Sequence, residues 1–162
     1  MNKAVFLDRD GTINVDFGYV FNPDKLKFIN GVVDSLKMLI EAGYMLIIIT
    51  NQSGIGRGLF TEKDAMNFNK YLCEKLSYLG IEITDVFMCV HSPEDNCVCR
   101  KPSPYLINEA IKKYNIDITT SFMLGDKPSD VQCGISAGVK SYLISSQTDF
   151  SYWTNYILKY HE

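Results

Sequence analysis

Apolar runs of strand length alternating with segments of helical period predict an α/β chain with a mostly parallel sheet and helices on both faces. Three junctions carry that expectation. Val5-Phe6-Leu7 runs into Asp8-Arg9-Asp10-Gly11-Thr12, and Tyr44 to Ile49 runs into Thr50-Asn51-Gln52-Ser53-Gly54. Ser121 to Leu124 runs into Gly125-Asp126-Lys127-Pro128-Ser129-Asp130. Each polar cluster thus falls at the carboxyl end of a buried strand, where open α/β sheets bind their ligands. An Asp-Gly pair after a strand is also an ordinary turn signal, so the first junction alone has two readings.

The intervening segments read as helices. Val32, Val33, Leu36, Leu39 and Ile40 recur at helical spacing and Gly43 closes the segment. Thr61-Glu62-Lys63-Asp64 forms a capping box ahead of Ala65, Phe68, Leu72, Leu76 and Leu79. Ser103-Pro104 opens a third helix with Leu106, Ile107, Ala110 and Ile111 inward, and Pro128 opens a short one ending near Gly138. A last strand, Lys140 to Ile144, precedes an aromatic segment, Phe150 to Tyr160, read as a helix on the sheet. No repeat, linker or low-complexity stretch divides the chain, so residues 1–162 are expected to form one domain. Only about twenty residues separate the first strand from the first helix, so no separate cap domain is expected and the site should be open or roofed by short loops.

Composition excludes several classes of function. A net charge of −3 without a basic run argues against nucleic acid as a partner. The apolar run around Met45 to Ile49 is far too short to span a bilayer. The chain enters a strand almost at once, which leaves no room for a signal peptide, so the cytoplasm is the expected compartment. Of five cysteines, three crowd into one short loop with a histidine, which suits metal binding in a reducing compartment.

Read in order, the junctions and Arg100-Lys101-Pro102 present a carboxylate pair, a hydroxyl, a basic residue and a second carboxylate pair. This order resembles the haloacid dehalogenase superfamily of phosphatases over nearly the whole chain. The resemblance implies a Rossmann-like sheet and phosphoryl transfer through an aspartyl-phosphate. Asp8 is then the nucleophile, and Asp10, two residues on, gives a proton to the leaving alkoxide and later takes one from water. Carboxylates beside a phosphate dianion need a hard divalent cation between them, so Mg²⁺ is expected, held by Asp8, Asp126 and, as the resemblance implies, the carbonyl of Asp10. Asp130 is expected behind them. Thr50 and Lys101 suit stabilisation of charge on the phosphoryl oxygens, although a lysine is more often simply solvated.

Cys89-Val90-His91 and Cys97-Val98-Cys99 offer three thiolates and an imidazole within one loop, a complete set for structural Zn²⁺; buried or redox-active thiols are the alternative. Cys73 and Cys133 fall on expected helices as core thiols. The loop ends at Arg100-Lys101, so a metal there would brace both cations over the site. This Cys-x-His and Cys-x-Cys-Arg-Lys-Pro loop is similar to that of the histidinol-phosphate and heptose-bisphosphate phosphatase group.

Within that group, residues 12–20 and 51–58 resemble the heptose branch, which acts on a manno-heptose 1,7-bisphosphate at the 7-phosphate, a step toward nucleotide-activated heptose and lipopolysaccharide. The resemblance implies substrate contacts from Asp16, Gly18, Tyr19, Asn51, Gln52 and Ser53. Arg100 and Lys127 are expected to bind phosphate oxygens. The short gap between His91 and Cys97 is common in the histidinol branch, which stays the alternative. An inactive zinc-braced binding protein and a phosphotransferase are readings of other classes. Gly54, Gly56 and Gly58 fit no dinucleotide or Walker spacing and are read as a flexible turn; His161 is read as a bystander, and the protein as a monomer.

Overall fold

The first apolar run, Ala4–Leu7 (β1), is buried along its whole length in the computed structural model, which describes residues 1–161. A strand without a wet face must have neighbours on both edges and layers on both sides. Both are present. Met45–Asn51 (β2) and Phe122–Gly125 (β4) flank β1, and Asp85–Cys89 (β3) and Lys140–Leu143 (β5) complete a sheet of order β3-β2-β1-β4-β5. Every strand pair is parallel, with Leu7 opposite Ile48 and Leu124.

Strand alternation sorts the core into two layers. Val5, Leu7, Leu46, Ile48, Phe122 and Leu124 point to one face. There they meet Leu36 and Leu39 of Val32–Glu41 (α1), as well as Phe68, Leu72 and Leu76 of Glu62–Tyr78 (α3). Phe150 and Ile157 of Phe150–Tyr160 complete that layer. Phe6, Ile47, Ile49 and Met123 point to the other face, against Leu106, Ile107 and Ala110 of Tyr105–Tyr114 and Cys133 of Pro128–Ser136. Full burial contributes about 1.5–3 kcal/mol for each large aliphatic or aromatic side chain. The capping box at Thr61 opens α3, with Asp64 N–H donating to Thr61 Oγ1 at 3.1 Å and Thr61 N–H to Asp64 Oδ2 at 2.9 Å.

The structure departs from the sequence-based expectations in three places. An edge strand, β3, occupies residues 85–89, a stretch to which the sequence pattern assigns no element beyond a ligand role for Cys89. Ser53–Gly56 (α2) is a helical turn rather than a flexible loop. A Cβ at Gly54 would strike the Phe60 ring, and one at Gly56 the backbone nitrogen of Ser92. Gly54 therefore permits close packing of α2 on Phe60, and Gly56 on the cysteine loop. Cys73 is only partly buried.

The chain runs outward from β1 through β2 to β3, then crosses back so that β4 and β5 build on the other side. That reversal leaves a crevice at the carboxyl ends of β1, β2 and β4. Among the described residues no helix is long and apolar enough to cross a membrane.

Candidate active site

Asp8 follows β1 directly and meets a lysine from a distant loop. Lys101 Nζ donates to Asp8 Oδ1 at 2.8 Å, to the Ile49 carbonyl at 2.6 Å, and approaches Asp130 Oδ1 at 2.8 Å. Three acceptors match the three ammonium hydrogens, so the side chain is fully oriented. Burial works against both charges, but their mutual attraction prevails. Lys101 is held above the ordinary lysine range by Asp8 and Asp130, and Asp8 below the ordinary carboxylate range chiefly by Lys101.

Asp126 lacks such compensation. Burial, with Asp8 and Asp130 nearby, pushes it up to about 7. Its Oδ1 is buried without a hydrogen-bond partner, and carboxylate oxygens of Asp8, Asp126 and Asp130 lie within 4.8 Å of one another. An orphaned acceptor among crowded hard oxygens fits a divalent cation such as Mg²⁺. Gly11, at φ 83°, keeps the turn after β1 pressed on this cluster; a Cβ there would run into Asp126 Oδ2.

Asp10 faces the same crevice. Its Oδ1 accepts from Arg9 Nε at 3.1 Å and Asn14 Nδ2 at 2.9 Å, and its Oδ2 from Arg9 Nη2 and Gln52 Nε2, each at 3.0 Å. Gln52 Nε2 also donates to Thr50 Oγ1 at 2.9 Å, which leaves the threonine hydrogen free to donate elsewhere. Asn51, expected on substrate, reaches the cleft wall and also clamps the backbone of Lys101. Its Oδ1 accepts from Lys101 N–H at 3.0 Å and its Nδ2 donates to the Lys101 carbonyl at 3.3 Å.

The crevice is a cleft of about 280 Å³, a size suited to a small phosphate ester. Asp8, Asp10, Asp16, Gly18, Tyr19, Asn51, Gln52, Ser53, Arg100, Lys101 and Lys127 all reach its wall. Thr50 and Asp126 sit behind that wall. Asp16 Oδ1 accepts from Gly18 N–H at 2.9 Å and so shapes the loop at the mouth. Arg100 carries a buried Nη1 with no partner, an unmet donor beside the cleft. Arg57 lies outside it, exposed and 4.0 Å from Glu94.

Beside the cleft, Cys89 Sγ, His91 Nδ1, Cys97 Sγ and Cys99 Sγ converge to within 4.8 Å. Cys89–Cys99 are 3.0 Å apart, Cys99–His91 3.3 Å, Cys89–His91 and Cys89–Cys97 3.6 Å, and Cys97–Cys99 3.9 Å. Tetrahedral ligands at zinc bond lengths stand roughly 3.5–3.8 Å apart, so the donor set and its size fit that ion. Burial and Cys99 push Cys89 up to about 12. At Cys97 the effect of burial is outweighed by the backbone of Arg100 and Cys99, which brings the thiol down to about 7.

Residues 16–144 match the model of the haloacid dehalogenase-like hydrolase family. The chain belongs to this family. The hydrolase is 48% identical over 90% of its length to a D-glycero-beta-D-manno-heptose-1,7-bisphosphate 7-phosphatase of Helicobacter pylori, 84% of which is covered. A protein of the same name from Haemophilus influenzae is 44% identical, with 86% of this chain and 79% of that one aligned. Among solved structures, the D,D-heptose 1.7-bisphosphate phosphatase of B. bronchiseptica, complexed with magnesium and phosphate, superposes with a TM-score of 0.89. It shares 27% identity, over 97% of this chain and 98% of that one. The counterpart from Burkholderia thailandensis gives 0.72 at 26% identity, with 98% and 99% covered.

Several contributors to the hydrolase site escaped the sequence reading. Ser129 lines the cleft, and its place in Lys127-Pro128-Ser129-Asp130 was the available signal. Asn14 and Arg9 bond Asp10, which nothing local announces. His161 packs 4.8 Å from the Phe122 ring, away from the cleft wall.

Proposed function

We propose that residues 1–162 act as one phosphatase domain that removes the 7-phosphate of D-glycero-D-manno-heptose 1,7-bisphosphate through an aspartyl-phosphate on Asp8. The observation that carries this reading is the buried Asp8–Lys101–Asp130 nest beside the unpartnered oxygen of Asp126. A carboxylate kept ionised by a lysine is a competent nucleophile toward phosphorus. Asp10 gives its proton to the leaving oxygen and then takes one from the water that cleaves the intermediate. The free Thr50 hydroxyl hydrogen and the Lys101 charge stabilise the phosphoryl oxygens as negative charge spreads over them.

Asp8, Asp126 and the Asp10 carbonyl would hold Mg²⁺, with Asp130 supporting Lys101. When bound, the ion screens the carboxylates from the substrate dianion and polarises the phosphoryl group. Zn²⁺ on Cys89, His91, Cys97 and Cys99 would leave no open position and so brace the loop that ends at Arg100-Lys101. Arg100, with its unmet Nη1, suits the phosphate that is not cleaved, and Lys127 the reacting one. Asp16, Gly18, Tyr19, Asn51, Gln52 and Ser53 contact the sugar. The names of the relatives and the unpaired Arg100 favour a bisphosphate over the cationic histidinol phosphate. The enzyme works as a cytoplasmic monomer.

Phosphate release from the heptose bisphosphate and from histidinol phosphate, side by side with Mg²⁺ and with Asp8→Asn as control, tests the assignment. A strong preference for the sugar that disappears in the variant is expected. Preference for histidinol phosphate overturns the substrate, and release from neither overturns the activity.

A further inference from the structure

Arg9 stands between the two aspartates of the β1 motif, yet none of the chemistry above uses it. Its side chain is fully buried and does not line the cleft, so it cannot touch the substrate. Four hydrogen bonds occupy its guanidinium. Nε and Nη2 fork onto Asp10 at 3.1 and 3.0 Å, Nη1 donates to Asn69 Oδ1 at 2.8 Å, and Nη2 donates to the Val20 carbonyl at 2.7 Å. Its plane lies 4.4 Å over the Phe68 ring.

Burying a guanidinium is costly, and a well-packed apolar side chain of similar size often stabilises a fold as well or better. The value of this ion pair therefore lies in where it holds its partner. With Asn14 and Gln52, Arg9 supplies two bonds to each Asp10 oxygen and fixes the carboxylate plane. The other anchors of the guanidinium are Asn69 on α3 and Val20, one residue beyond Tyr19 at the cleft mouth.

We propose that Arg9 is the positioning residue for the general acid, holding Asp10 toward the leaving-group oxygen and linking that orientation to the 18–20 loop. The inference rests on the phosphatase reading. Four donors fill the acceptor positions of ionised Asp10, so the acid form gives up one of those bonds to carry its proton. As the P–O bond breaks, the proton passes to the departing oxygen and the carboxylate regains that bond. Ionised Asp10 is the form a guanidinium fork stabilises, so the contribution of Arg9 grows toward the transition state.

Leaving-group dependence tests this. An alkyl phosphate needs a proton on its departing oxygen, whereas 4-nitrophenyl phosphate does not. Arg9→Lys keeps the charge and loses the fork. With saturating Mg²⁺, Arg9→Lys and Asp10→Asn should each lower kcat/KM at least about tenfold more on the alkyl ester than on the aryl ester. Inhibition by inorganic phosphate, which reads ground-state binding, should move less than about twofold, and the double variant should lose little beyond Asp10→Asn. Equal losses on both esters for Arg9→Lys, or additive losses in the double variant, would show a merely structural arginine. If Asp10→Asn is itself unselective, the acid assignment fails and the inference with it; a selective Asp10→Asn beside an unselective Arg9→Lys sinks the inference alone. Should Arg9→Lys not fold, Asn69→Ser, which frees one guanidinium anchor, should show a smaller loss with the same selectivity, and an unselective loss overturns the proposal.

Discussion

Two clusters of ionisable side chains flank Arg100-Lys101, and they differ in almost every physical respect. The carboxylates of Asp8, Asp126 and Asp130 come from two neighbouring strand ends and the first turn of the helix Pro128–Ser136; Asp8 and Asp130 border an open cleft, with Asp126 just behind its wall. The thiols and imidazole of residues 89–99 come from one strand end and the loop after it, and close on themselves. Oxygens around an open position suit a reacting centre, whereas four soft donors with nothing left over suit a brace. The same loop serves both: Lys101 points into the carboxylates, while its backbone is clamped by Asn51 two residues beyond Cys99.

Perturbing the carboxylate cluster should have the largest effect. Asp8→Asn should lower kcat on the order of 10⁴-fold or more, measured as phosphate release, with little change in fold by circular dichroism. Lys101→Met should cost about 10²–10³-fold in kcat. It should also destabilise the fold by about 3–5 kcal/mol in denaturant titration, because Asp8 and Asp130 lose their counter-charge while buried. If the thiol cluster is a brace, removing its metal with a chelator should raise KM about tenfold or more while kcat on bound substrate falls less. An equal fall in kcat would move that cluster into the chemistry.

Gly56→Ala tests the contact between α2 and the cysteine loop. The new methyl meets the Ser92 backbone, and thermal unfolding should report a loss of about 1–3 kcal/mol. The smallest effect is expected at Asp85, remote from both clusters. Burial raises its pKa, but hydrogen bonds from Lys113 at 2.7 Å and Tyr114 at 2.6 Å outweigh that and hold it below the ordinary carboxylate range. A depressed folded-state pKa stabilises above the ordinary value and is lost as pH falls through the depressed one. The Tm gap between wild type and Asp85→Asn should therefore be present at pH 7 and close as the solution is acidified below the ordinary carboxylate range.

The two clusters also differ in how far the sequence announces them. Cysteine and histidine spacing is local, so one stretch of chain spells out the thiol set. The carboxylates were legible for another reason, since each follows an apolar run and parallel strands bring such ends together. What stayed hidden depends on contacts between distant segments. Nothing in Asp8-Arg9-Asp10 says that the arginine folds inward onto Asn69, and Asn51 gives no local sign of holding Lys101. The β3 strand was obscured because an edge strand needs only partial apolar character, and its residues 85–88 are each only partly buried.

The strand order has a further consequence for how the protein is made. β1 leaves the ribosome before the other strands of its sheet, but one of its two neighbours, β4, follows only after residue 121, with Val5 opposite Phe122. Until residues 122–126 emerge, β1 keeps an unpaired hydrogen-bonding edge and Asp8 has no Asp126 beside it. Parallel pairing over such a separation folds slowly, because a long loop must close before the contact returns any free energy. The catalytic centre is thus a late product of synthesis, and a nascent chain that stops short of residue 122 exposes its most apolar strand while remaining chemically silent.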